Sequence, residues 1–151
     1  MIKSLSILLL ICVCCIFSCK DDTPNANSYI PAGPVSLVIN TDLPEYYHLK
    51  TPGTYLYQPG GNRGVIVIHD FDDTYLSIER TCSLEPDKSC AKIFVDSASL
   101  NLRCGGFNNT LWVPCCESRF TYNGWVYQAP AQFPLRTYPT SLNGAIITVR
   151  N

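Results

Sequence analysis

Two histidines and one methionine among 151 residues leave the chain short of two common sources of acid–base and metal-binding chemistry. Charge is scarce as well. Asp, Glu, Lys and Arg make up 15% of the residues and the net charge is −1, which excludes a nucleic-acid binder that works by neutralising phosphates. Beyond residue 33 no stretch of eleven or more residues keeps helical spacing, which argues against a helical bundle. A membrane-spanning run is missing too. The longest apolar stretch, residues 5–17, would cover only roughly 20 Å as a helix, against a hydrocarbon core of ~30 Å. What the chain has instead is nine cysteines, nine glycines, eleven prolines and 11% aromatics, enough apolar material for one modest domain and too much for a disordered tail.

The apolar stretch follows Lys3 and ends in Ile16-Phe17-Ser18-Cys19, so residues 1–18 read as a signal peptide. Its end resembles a bacterial lipobox, which implies lipidation of Cys19 and anchoring of the mature chain to a membrane by acyl chains. Residues 19–33, beginning Cys19-Lys20-Asp21-Asp22, are polar and proline-bearing, and read as a tether. The expected location is the envelope of a Gram-negative bacterium, periplasmic or on the outer-membrane surface. There disulfides persist. Cys12, Cys14 and Cys15 leave with the signal, so Cys82, Cys90, Cys104, Cys115 and Cys116 carry whatever cysteine chemistry the domain has.

Residues 34–151 read as an all-β domain. Short β-rich runs recur at 35–39, 54–57, 64–69, 74–79, 91–95, 99–102, 110–113, 119–122, 125–127, 135–138 and 145–149, separated by turn residues such as Pro59-Gly-Gly-Asn62. The acidic Asp70-Phe-Asp-Asp73 closes a hairpin, and residues 44–49 offer a single helical turn. About ten short strands in antiparallel meanders predict a multi-sheet sandwich or small barrel.

Two segments give this β domain more identity. One is Ile78-Glu-Arg-Thr-Cys82-Ser-Leu84. The other is Pro114-Cys-Cys-Glu-Ser-Arg-Phe120 with Asn123-Gly124, Gln128-Ala-Pro-Ala131, Pro134-Leu135 and Tyr138. Together, over about residues 64–149, they resemble the Rieske iron–sulfur domain. That family carries a Cys-x-His loop and a Cys-Pro-x-His-Gly-Ser-x-Phe loop, followed by a proline-containing stretch. The resemblance implies the Rieske fold, with both loops at one tip where redox partners dock. A Rieske centre needs two cysteines and two histidines. Here Cys82 matches the first cysteine, but Leu84 stands at the first histidine position, Val113 at the second cysteine position and Cys116 at the second histidine position. His48 and His69 lie upstream of both loops and read as ordinary surface or strand-end residues.

Many Rieske domains also join their two loops by a disulfide, and the resemblance puts Cys90 and Cys115 near those positions. Cys82 and Cys116 would then face each other, and a second bridge is open to them if their Cα atoms come within ~7 Å. Adjacent strand residues point to opposite faces, which favours outward pairing of Cys115 and Cys116 over a bridge between them. Four cysteines allow three connectivities, and all of them stay open. Cys104 is left over as a free thiol, an intermolecular partner or a substitute ligand. Zinc is disfavoured, because none of the domain's cysteines, Cys82, Cys90, Cys104, Cys115 and Cys116, are paired with two to four residues between them.

The expected function is therefore a lipid-anchored binding or structural module with an unknown envelope partner, no cofactor and no nucleic acid. The alternative is an electron-transfer protein whose [2Fe–2S] cluster is rearranged onto Cys82, Cys116 and further cysteines. Isolated residues give a hydrolase no support: Ser118 lacks a Gly-x-Ser-x-Gly frame. Asp70, Asp72 and Asp73 read as turn formers, and Tyr55 and Tyr57 as half-buried strand residues.

Overall fold

The computed structural model describes residues 30–151; the signal peptide, Cys19 and most of the tether lie outside the described residues. Eleven strands follow one another: β1 Ser36–Asn40, β2 Tyr55–Gln58, β3 Val65–His69, β4 Tyr75–Glu79, β5 Ile93–Asp96, β6 Asn101–Asn108, β7 Leu111–Phe120, β8 Val126–Gln128, β9 Thr137–Tyr138, β10 Thr140–Asn143 and β11 Ile146–Arg150. One 3-10 turn, Tyr47–Lys50, stands where a single helical turn was expected. Three antiparallel sheets result, ordered β1-β11-β10, β2-β3-β4-β9 and β5-β6-β7-β8. No helix among the described residues is long and apolar enough to cross a membrane.

The middle sheet is organised by β3, whose Val-Ile-Val-Ile run is buried on both faces. Because strand side chains alternate, Ile66 and Ile68 enter a core with Ile78, Ile93, Leu102 and Phe120, while Val65 and Val67 enter another with Leu49, Ile147 and Val149. β-Branched residues fill such a two-sided strand well because their stiff side chains pack on a pleated surface. The Asp70–Asp73 loop closes the β3–β4 hairpin, with Asp70 N–H donating to Thr74 O at 2.8 Å. Asp72 Oδ1 accepts from the Thr74 N–H at 3.0 Å and its hydroxyl at 2.6 Å, which holds the Asp72 carboxyl below its ordinary value. These aspartates thus shape a turn.

At the end of β4 a charged side chain is fully buried. Glu79 accepts hydrogen bonds from the N–H groups of Asn62 (2.7 Å), Arg63 (2.9 Å) and Thr81 (3.0 Å), and from the hydroxyls of Thr81 (2.9 Å) and Tyr138 (2.6 Å). The expected turn at 59–62 wraps this carboxylate. Gly61 has φ +63°, and a Cβ there would lie 2.2 Å from Glu79 Oε2, so only glycine lets the loop approach so closely. Tyr138, from β9, thereby ties the far end of the chain to the middle sheet.

Burial, together with the bond to Glu79, raises the Tyr138 phenol above its ordinary value; burial also raises Tyr57 and Tyr122. An unfolded tyrosine ionises near pH ~10, whereas these hold their protons to higher pH. Their stabilisation is therefore intact below about pH 10 and is lost as pH rises beyond it. Denaturation midpoints measured from pH 9 upward should fall above about pH 10, and Tyr138→Phe should make that fall shallower. An unchanged slope in the variant would remove Tyr138 from this account.

Candidate metal centre

The third sheet carries the cysteines. In the β6–β7 ladder Leu102 pairs with Phe120 and Arg103 with Arg119, and then Gly105 pairs with Pro114. The single residue Cys104 therefore stands opposite residues 115–118, a bulge made by the Cys-Cys-Glu-Ser segment. A bulge re-aims the side chains it carries. Gly105 permits it: a Cβ there would meet Val113 O at 2.5 Å and the Trp112 ring at 2.7 Å.

Within the bulge the two adjacent cysteines separate. Cys115 forms a disulfide with Cys90, which sits in the loop before β5; the Cα atoms are 5.4 Å apart. Cys116 joins Cys82 and Cys104, and the three Sγ atoms all lie within 4.8 Å of one another. Cys82 arrives from beyond β4, its N–H donating to Ala91 O at 3.1 Å beside the Thr81–Lys92 bridge. Cys82 and Cys104 are buried and Cys116 is half-buried. Among the described residues this is the one place where three or more Cys, His, Asp or Glu ligand atoms converge.

The sulfurs influence one another. Hydrogen bonding by Cys104 lowers the Cys82 thiol, outweighing burial, with the Leu84 N–H and Cys116 adding to it. Cys104 moves the opposite way, because its proton is held toward Cys82 and because it is buried. Of these two, Cys82 therefore ionises more readily than Cys104.

Two serines brace the loops that bring the sulfurs together. Ser118 Oγ accepts the Ala131 N–H at 2.9 Å, and the Ser83 hydroxyl donates to Phe133 O at 2.6 Å. Both partners belong to the segment that contains the Ala129–Pro130 cis peptide bond. The proline-rich stretch therefore clamps both cysteine loops from one side.

The cysteines read from the sequence thus divide into a bridged pair, Cys90 and Cys115, and a pair that meets as thiols, Cys82 and Cys116. Cys104, which sequence reasoning left over, belongs with the second pair. Leu84 packs against the core beside Cys82, and Val113 is 50% exposed on β7. Neither histidine joins the sulfurs: His48 lies on the 3-10 turn, and His69, at the end of β3, stacks on Tyr75 with ring centroids 4.4 Å apart. Tyr55 and Tyr57 are half-buried and packed edge to face at 5.3 Å. The Tyr57 hydroxyl accepts the Val95 N–H at 3.0 Å, joining the middle sheet to the cysteine-bearing one.

No protein-family model matches the chain, and no curated protein matches it. Solved structures do. The plasma membrane Rieske protein PetC3 from Synechocystis PCC 6803 superposes with a TM-score of 0.50 at 22% identity, covering 64% of this chain and 86% of its own. The ferredoxin of carbazole 1,9a-dioxygenase from Nocardioides aromaticivorans IC177 covers 78% of this chain and 96% of its own, with a TM-score of 0.48 and 24% identity. The fold is Rieske-like: nearly all-β, with three antiparallel sheets.

Proposed function

We propose that this chain is an envelope lipoprotein, anchored through Cys19, whose Rieske-like domain has given up the histidine-ligated [2Fe–2S] centre and serves as a binding module. The observation that carries this reading is the composition of the tip. A two-iron cluster divides its four protein ligands between two ends, one pair on each iron. The tip offers three sulfurs gathered within 4.8 Å of one another, with Leu84 and Val113 at two of the positions where the family has ligands. Hydrocarbon side chains have no lone pair to give iron, and three sulfurs crowded at one point do not make two separated pairs. The residues present do not fit the family's cluster.

Partner binding is supported by the surface around the tip. Leu111 and Val113, alternate residues on one face of β7 in the sheet that carries the cysteines, are 74% and 50% exposed. Exposed apolar side chains grouped in this way are a usual mark of an interaction face.

The test is elemental. Full-length protein, solubilised from membranes in detergent without air, should contain neither stoichiometric iron nor acid-labile sulfide and should be colourless in the visible. Two irons and two sulfides per chain would overturn the reading in favour of an electron carrier with a cysteine-ligated cluster. Replacing Cys19 with alanine should release the protein from the membrane fraction; retention there would overturn the anchor.

A further inference from the structure

We propose that Cys82, Cys104 and Cys116 form a three-sulfur site for one soft metal ion, cuprous copper. The geometry comes first. Three sulfurs placed around one ion at a metal–sulfur distance of about 2.3 Å, in a plane, are separated from one another by about 4 Å. The Sγ atoms of this cluster already lie within 4.8 Å of one another, so sub-ångström rotamer adjustments close them on a single ion. Donor chemistry selects among ions. Three thiols with no carboxylate or imidazole among them favour a soft cation. Zinc's structural sites are four-coordinate, and no fourth Cys, His, Asp or Glu converges here among the described residues. Cuprous copper is satisfied by three sulfurs.

The surroundings match such a site. The three ligands come from separate segments: the loop after β4, strand β6 and the β7 bulge. The Cys90–Cys115 bridge holds the bulge beside the loop before β5, and Ser118 and Ser83 fix the backbone next to Cys116 and Cys82. The ligands are therefore held in place before any ion arrives, which lowers the cost of binding. Cys116, half-buried, is the ligand nearest to solvent, while Cys82 and Cys104 sit in the hydrophobic core. Binding displaces thiol protons to solvent.

This inference rests on the absence of an iron–sulfur cluster proposed above, and iron and sulfide analysis of the same sample tests that separately. The experiment is an anaerobic titration of the full-length protein, in detergent and with its Cys90–Cys115 bridge intact, with cuprous ion held by a colorimetric copper(I) chelator. X-ray absorption of the loaded protein follows. The expected result is one copper per chain, with three sulfur scatterers at about 2.2–2.3 Å and no nitrogen or oxygen. Removing even an outer-shell partner commonly costs 10–100-fold in metal affinity, so Cys104→Ser, which deletes a ligand, should lose at least about 100-fold. Should that variant fail to fold, the sulfur count on the unsubstituted protein decides alone. Failure to hold copper against the chelator, fewer than three sulfurs, or an unchanged affinity in folded Cys104→Ser would each overturn the site. So would a second disulfide among the three thiols in protein isolated without air.

Discussion

Glu79→Ala is expected to destabilise the domain more than any other single substitution outside its hydrophobic cores. Five donors end on this one buried carboxylate, and alanine leaves all of them facing a void. A buried donor stripped of its acceptor costs about 1–3 kcal/mol, although water can reach the Asn62 end and soften part of the loss. A total of about 3–5 kcal/mol follows, a large share of the roughly 5–15 kcal/mol that keeps a domain folded. For a domain of this size that is a fall of roughly 10–20 °C in melting temperature. Glu79→Gln keeps one acceptor oxygen and should fall between wild type and alanine. Tyr138→Phe removes a single donor and should cost only about 1–2 kcal/mol. Thermal melts of the three variants check the order, and an alanine variant as stable as Tyr138→Phe would show that the clasp is not what holds β4 to β9.

Breaking the Cys90–Cys115 bridge is expected to have the next largest effect. The cysteines are 25 residues apart, and the chain-entropy relation for a loop of that length gives about 3.5 kcal/mol at 25 °C. Replacing both with serine should lower the melting temperature by roughly 10–15 °C. Dithiothreitol should destabilise the unsubstituted protein by a similar amount and leave the double variant unaffected. A reductant effect that persists in the double variant would mean that a different pair of cysteines carries the stabilisation.

The parts of this architecture that the sequence disclosed are those where local pattern and tertiary environment agree. β3 and β4 were legible because a β-branched run and an alternating run flank an aspartate-rich turn, and the structure pairs Val65 with Glu79 and His69 with Tyr75 around it. β7 reads as two strands, 110–113 and 119–122, because Pro114 and the double cysteine interrupt its alternation; it is one strand bent by the bulge. β10 escapes notice because Thr140–Asn143 is a mostly exposed edge with little apolar signal. Cys104 reads only as a residue left over from the two pairs, with a substitute ligand as one of its three open roles, because Gly105-Gly106 looks like a loop insertion. The usable signal was the period of two that places Leu102 and Cys104 on the same inward face, continuing the strand past its expected end. Glu79 gives no local sign of its role, since the groups that satisfy it lie 16 and 59 residues away as well as beside it.

β4 and β9 are hydrogen-bonded neighbours, with Ser77 opposite Tyr138 and Ile78 opposite Thr137. Everything between them, including the whole cysteine-bearing sheet, leaves the middle sheet and returns to it at one doorway. Toward the rest of the molecule those residues behave like one very long hairpin loop, and segments whose ends lie side by side are the ones a host fold tolerates as insertions. The tip is in effect a replaceable cartridge. Its cysteines and loop lengths can change while the paired ends at β4 and β9 keep their register.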